Sequence, residues 1–195
     1  MLTVKNILTN IHTVLETIQL FKTGKIKMAK IKLTNVRLSF PSIFKRSSFN
    51  GEEGKFEATF LLNKETQADQ ISKLQAAIDE AIKEAKIKVP KDKLCLKDGE
   101  DFEYDGYEGH MAFKASSNKR PTIIDRDKTP LVEDDGKPYA GCYVNAVVDI
   151  WIQNNNFGKR ANGNLFGIQF YADGEAFGAG DIDVTDDFDE LDDDF

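Results

Sequence analysis

YAGCYVNAVVDIWIQ, residues 139–153, decides the fold. Its even positions, Ala140, Cys142, Val144, Ala146, Val148, Ile150 and Ile152, include no polar residue. Strand side chains alternate between faces, so this set must line a core. The odd positions, Tyr139, Gly141, Tyr143, Asn145, Val147, Asp149, Trp151 and Gln153, mix aromatics with amides and face a less buried side. A second run repeats the arrangement, with Phe166, Ile168, Phe170 and Ala172 expected on one face and Leu165, Gln169 and Tyr171 on the other. Between the two runs, NNNFGKRANGN (154–164) reads as a loop with Phe157, Lys159 and Arg160 at its tip.

Working outward, Lys30 to Phe40 alternates as Ile31 and Leu33, then shifts phase to Val36, Leu38 and Phe40. A strand with a bulge near Asn35, stopped by Pro41, fits both halves. Phe56, Ala58, Phe60 and Leu62 mark a second strand. From Thr66 to about Lys88 the stripe Ile71, Leu74, Ile78, Ile82 and Ala85 predicts a helix, with a capping box at Thr66 and Asp69 and with Pro90 closing it. DGEDFEYDGYE (98–108) is acidic and aromatic, by charge a poor place for a polyanion to lie. His110 to Ser116 and Arg120 to Ile124 read as short strands around a polar corner with Lys119, followed by a polar loop from Asp125 to Pro138. The fold class is therefore mainly β with one long helix, most simply a small, partly open β-barrel.

At 195 residues and 41% apolar content the chain can bury one sizeable core, so a single main domain is expected, over 28–180. Residues 1–27 differ from it: Val4, Leu8, Ile11, Leu15 and Ile18 recur at helical spacing, whereas Met28 opens MAKIKLTNVRLSF, itself like the first strand of a protein. The segment is read as an N-terminal extension upstream of a natural start at Met28. Cys95 and Cys142 lie far apart and outside any C-x-x-C pair, and with only His12 and His110 they supply no usual zinc ligand set. No metal or cofactor is expected. Reduced cysteines and no apolar run of ~18 residues point to a cytoplasmic protein without a membrane partner.

Residues 181–195 (DIDVTDDFDELDDDF) hold nine acids and no base, and removing them from the 33 acids leaves 24 against 26 bases. The acidity is local. So charged a run cannot offset its ordering entropy by burial, and a disordered acidic tail is expected. Such a tail either solubilises, occupies a basic groove in cis, or presents a terminal hydrophobe to a partner.

Single strands are bound by cations that follow the backbone and aromatic faces that stack unpaired bases, at ~1 to 3 kcal/mol per base. Lys114, Lys119, Arg120 and Arg126 cluster around the 113–126 corner, Lys159 and Arg160 sit on the other loop, and Tyr143, Trp151 and Phe157 are the candidate stacking rings. Each has a competing structural role: burial for the rings, an ordinary solvated surface for Lys114 and Lys119, and ion pairing for Arg126 between Asp125 and Asp127. Catalysis has little support. Asp125, Asp127, Asp134, Asp135 and Asp149 match no metal motif, no Ser or Cys has a nearby His, and no phosphate loop is present.

Four blocks in order, MAKIKLTNVRLSFPSIF (28–44), FKASSNKRPTIIDRD (113–127), YAGCYVNAVVDIW (139–151) and LFGIQFYADGEAFG (165–178) before the acidic tail, resemble the bacteriophage single-stranded-DNA-binding proteins of the acidic-tailed OB-fold type. The resemblance covers about 28–195. It implies an OB-fold-like barrel with an inserted helix that coats single-stranded DNA in phage replication and recombination, in the host cytoplasm; whether the chain forms a homo-oligomer on the DNA is left open by the sequence. It also implies recruitment of replication or recombination proteins through the tail, where Asp186, Asp187, Phe188, Asp192, Asp193, Asp194 and Phe195 are the candidate contacts. Residues 28–180 carry 22 bases and 23 acids, so affinity must come from local patches and fall with salt. Two rivals remain: a protein-interaction module that never meets DNA, and a metal-dependent nuclease.

Overall fold

The computed structural model describes residues 30–178; the helical reading of 1–27 and the tail reading of 181–195 lie outside them. In chain order the elements are β1 (Ile31–Ser42), β2 (Ser48–Phe49), β3 (Glu52–Glu53), β4 (Phe56–Asn63), helix α1 (Ala68–Ala85), β5 (Leu96–Asp98), β6 (His110–Ser117), β7 (Thr122–Ile124), β8 (Tyr143–Asn155) and β9 (Gly158–Ala172). β2 and β3 form a separate small hairpin. β1 pairs antiparallel with β4 and β8, β4 with β6, and β8 with β9; β6 then meets β9 in parallel at Ala115–Gly163 and Ser116–Asn164. That last pairing closes five strands into a barrel, with β5 and β7 added at its margins.

The parity expected of β8 holds: Cys142, Val144, Ala146, Val148 and Ile150 are all buried. The bulge expected near Asn35 is also present, as a slip between Leu33 and Val36 with Asn35 at φ +52°. It lets two residues an odd number of positions apart both face the core. Several expectations need correction. Residues 154–164, read as a loop, are instead mostly strand, the paired ends of β8 and β9 joined through Asn156 and Phe157. β1 does not stop at Pro41 but runs to Ser42 through a second irregularity beyond Ser39, where an imino acid is tolerated because the ladder is already broken.

In β9 the faces of Leu165 and Phe166 are the reverse of those expected. Val147 pairs with Gly167 while Val148 pairs with Leu165, so Phe166 is the extra residue of a bulge. Leu165 consequently joins the core and Phe166 lies outside it, under the Lys30 ammonium at 4.7 Å.

Helix α1 contributes Leu74, Ile78 and Ala81 to the barrel core. Burying a Leu or Ile side chain is worth about 1.5–3 kcal/mol, enough to fix so amphipathic a helix in place. Its start differs from the expected capping box. Gln67 is the N-cap but its side chain caps no helix amide, accepting instead from the Asn63 amide, while Asn63 Oδ1 accepts from the Glu65 and Thr66 backbone amides and the Thr66 hydroxyl. The helix ends at Lys86, in the left-handed region, two residues short of the expected end. Burial pushes the Cys95 thiol up to about 12 and the Cys142 thiol up to about 11, which marks both as core residues with little thiolate at neutral pH.

Closure of the barrel leaves no room at the seam. A Cβ on Gly163 would lie 2.6 Å from the Lys114 carbonyl oxygen and 2.7 Å from Phe113 Cζ. Gly163→Ala is therefore expected to lose about 1–3 kcal/mol, read as a lower denaturant midpoint, whereas alanine at Gly158, with nothing within 4 Å of its Cβ, strains only its own backbone at φ +113°.

Candidate nucleic-acid interface

A groove of about 840 Å³ crosses the outer face of the barrel where β4, β6 and the start of β9 run side by side. Alternation builds its floor. Ala58, Phe60, Phe113, Ala115 and Ala161 point inward, so Glu57 and Thr59, Lys114 and Ser116, and Arg160 and Asn162 are left on the outer side. The end of β1, the segment around Lys93 and Lys97, and the loop 102–107 form the walls.

That loop contributes rings. Tyr104 meets Phe40 edge-on at 5.1 Å and stacks on Phe102 at 6.0 Å, and Tyr107 lies 5.3 Å from both Phe102 and Tyr104. Tyr107 is the anchor: it is 3% exposed and its hydroxyl donates to Ser39 Oγ at 3.1 Å. Burial pushes its phenol above the ordinary tyrosine range. Phe40 and Tyr104, by contrast, are 57% and 53% exposed. Those two have faces free for a planar ligand. Phe40 also adopts φ +45°, a conformation a bulky residue enters only when its surroundings enforce it.

The acids of 98–108 do not line this groove. Only Phe102, Tyr104 and Tyr107 of that stretch do. Asp98 and Glu100 are engaged elsewhere, at 2.6 and 3.4 Å from Lys64 Nζ. Lys64 holds Asp98 below the usual carboxylate range, and the Gly109 amide followed by Lys64 does the same for Glu100. Among the groove cations Lys114 pairs with Glu57 at 3.0 Å and Lys93 with Asp92 at 2.8 Å. Lys97 and Arg160 make no ion pair among the described residues.

The sequence candidates divide by position. Lys114 and Arg160 line the groove. Trp151 pairs with Asn162 across the β8–β9 ladder and so shares its outward face; it is 40% exposed, and Phe157 at the hairpin tip is 86% exposed. Lys159, opposite Asn154, lies on the same hairpin.

Lys119 and Arg120 follow the end of β6, at the corner where Arg120 lies over Phe44 at 5.8 Å, Arg46 over Phe56 at 5.4 Å, and Arg46 donates to the Asn118 carbonyl at 2.8 Å. Tyr143 is not brought to the groove. It is eight residues from Trp151 on one strand, about 26 Å at ~3.3 Å per residue, and lines a separate polar recess with Arg37, Gln67, Gln70 and His110. Arg126 also stands apart: it makes no ion pair among the described residues, Asp125 pairing instead with Lys137 at 2.8 Å. Phe40, Tyr104, Lys97 and Asn162 are groove residues that strand parity in β8 could not reveal. Among the described residues no three His, Cys, Asp or Glu side chains are grouped to hold a metal ion.

Five strands closed by one parallel pairing, with an aromatic and cationic groove over the β4–β6 face, define an OB-like barrel. Residues 29–195 match the family described as Enterobacter phage Enc34, ssDNA-binding protein, and the chain belongs to that family. A protein designated p50 from Acyrthosiphon pisum secondary endosymbiont phage 1 is 40% identical over 174 residues, covering 83% of this chain and 94% of its own length. The solved single-stranded DNA-binding protein from bacteriophage Enc34 is 31% identical, with a TM-score of 0.71 over 82% of this chain and 90% of that one. The same phage protein solved in complex with ssDNA is 32% identical, with a TM-score of 0.72 over 76% of this chain and 89% of that one.

The anchoring role of Tyr107 is open to measurement by denaturation. Tyr107→Phe keeps the ring and loses the bond to Ser39, an expected cost of about 1 kcal/mol, whereas Tyr107→Ala removes the ring under Phe102 and Tyr104 and is expected to cost about 3–5 kcal/mol.

Proposed function

We propose that this protein is a non-catalytic single-stranded-DNA-binding protein that coats DNA during phage replication and recombination, and that the strand lies in the groove over β4, β6 and the start of β9. The observation that carries this reading is the placement of two exposed rings, Phe40 and Tyr104, beside Lys97, Lys114 and Arg160. Bases stack on the rings regardless of sequence, and the cations follow the phosphates. Trp151, Phe157 and Lys159 on the β8–β9 hairpin, and Lys119 and Arg120 at the opposite corner, extend the same path. Membership of a family described as ssDNA-binding, and likeness to a relative solved with ssDNA, support the assignment.

The acidic tail acts on the same groove. The described chain ends beside the aromatic wall, with Phe177 packed against the cluster of Leu61, Tyr107 and Ala112 and lying 4.1 Å from the Arg37 guanidinium. Residues 179–195 can span about 55 Å if extended, enough to cover the groove, so their acids compete with DNA for its cations and are released for partner proteins when DNA binds.

Anisotropy titration with a labelled oligo(dT) tests the site. Phe40→Ala with Tyr104→Ala is expected to weaken binding at least roughly tenfold, from ~1 to 3 kcal/mol per stacked base, while Tyr143→Ala leaves it unchanged. If the unsubstituted chain shows no binding, the protein-interaction reading replaces this one. Deleting 181–195 is expected to tighten binding most at low ionic strength, where the Debye length is longest; equal or weaker affinity at low salt contradicts competition by the tail.

A further inference from the structure

We infer that Phe177 is the positioning residue of the stacking wall: its ring braces the loop 102–107, so the segment from which the acidic tail departs belongs to the DNA-binding machinery without touching the strand. The inference rests on the groove being the DNA site.

The segment 173–178 is fastened along 139–141. The Phe177 amide donates to the Ala140 carbonyl at 3.0 Å, and Arg37 donates to the Glu175 carbonyl at 2.8 Å and to the Gly141 carbonyl at 3.2 Å. The Tyr139 hydroxyl donates to Asp173 Oδ1 at 3.0 Å and accepts from the Gly174 amide at 3.2 Å. A Cβ on Gly141 would collide with the Glu175 carbonyl, and one on Gly174 with the Gly141 carbonyl, so the two stretches lie backbone against backbone.

This fastening delivers the Phe177 ring to the back of the aromatic wall. The ring packs against the cluster of Tyr107 with Leu61 and Ala112, themselves cross-strand partners in β4 and β6, and the Arg37 guanidinium lies over it at 4.1 Å. It also fills the space beside Gly106, where a Cβ would collide with Phe177 Cε1 and lie 3.0 Å from its Cζ. Gly106, at φ +77°, has no side chain with which to brace its own loop. Phe177 supplies that support from 71 positions further along the chain.

Phe177 is not among the residues that line the groove, whereas Phe102, Tyr104 and Tyr107 are, so it acts through the loop. Tyr104 is the ring at stake. It is 53% exposed and lies 6.0 Å from Phe102 and 5.3 Å from Tyr107, both members of the cluster on which Phe177 packs. A loop already fixed in its binding geometry spares the complex the cost of ordering it, and a loose one returns that cost as lost affinity.

The test titrates the full chain with labelled oligo(dT) at several salt concentrations, below each protein's thermal midpoint, as the unsubstituted form, Phe177→Ala, Tyr104→Ala and the double variant. Phe177→Ala is expected to weaken binding about three- to tenfold, a part of what one stacked base contributes. The factor stays the same from low to high salt because no phosphate contact is lost. In the Tyr104→Ala background the same substitution costs less than about twofold, since the ring it positions is gone. Phe177→Leu, which keeps an apolar side chain but no ring, is carried through the same cycle, so poor folding of the alanine variant cannot decide the outcome. Unchanged affinity overturns the inference, as do equal factors in the two backgrounds, the mark of a merely structural residue. A loss confined to low salt also overturns it, because that traces to the charged tail. If the unsubstituted chain does not bind oligo(dT), the groove assignment fails and the inference falls with it.

Discussion

The parallel contact between β6 and β9 at Ala115–Gly163 is the constraint on which the rest of the molecule depends. Hairpins alone would leave β6 and β9 as free edges of a long curled sheet. Their pairing closes the barrel, and it carries Lys114 to within a strand's width of Asn162 and Arg160, residues more than forty positions away in the chain. Only a residue without a side chain fits at 163, because the Lys114 carbonyl and the Phe113 ring already occupy that space. The groove is thus a by-product of closure. Its floor exists because two distant strands are forced side by side with their small inward residues, Ala115, Ala161 and Gly163, interlocked.

Bulges do the remaining positioning. The slip at Asn35 keeps both Leu33 and Val36 in the core, the irregularity around Phe40 turns that ring out over the groove, and the extra residue at Phe166 returns Leu165 to the interior. Each disrupts the ladder locally but re-aims a side chain, the recurrent use of a bulge near a binding surface. The aromatic wall is held in the same economical way. One buried tyrosine, Tyr107, fixes the loop from beneath while Tyr104 remains accessible.

How much of this is legible before the structure depends on whether the deciding contact is local. Strand parity over 139–153, the bulge at Asn35 and the stripe of α1 are local periodicities, and the structure follows them except that Ala81, not Ala85, completes the buried face of the helix. The bulge at Phe166 is not, because it depends on how β9 aligns with β8. Parity also states which face a residue takes and nothing about its place along the strand, so Tyr143 and Trp151 share an alternation yet lie at opposite ends of β8. The rings at 102–107 are hidden in the sequence by the acids around them. Lys64, 34 residues before Asp98, is the partner that engages two of those acids, and no local pattern announces it.

A body of nearly balanced charge leaves sequence-independent attraction to a few cations, so stacking must fix where the strand runs. Photocrosslinking with an oligonucleotide carrying 5-iododeoxyuridine, followed by peptide mapping, reads that path directly. Crosslinks to Phe40, Tyr104 and Trp151 are the result this account requires. Crosslinks gathered instead around Tyr143 and His110, with 102–107 unmarked, would place the DNA in the separate polar recess that those residues line and contradict it.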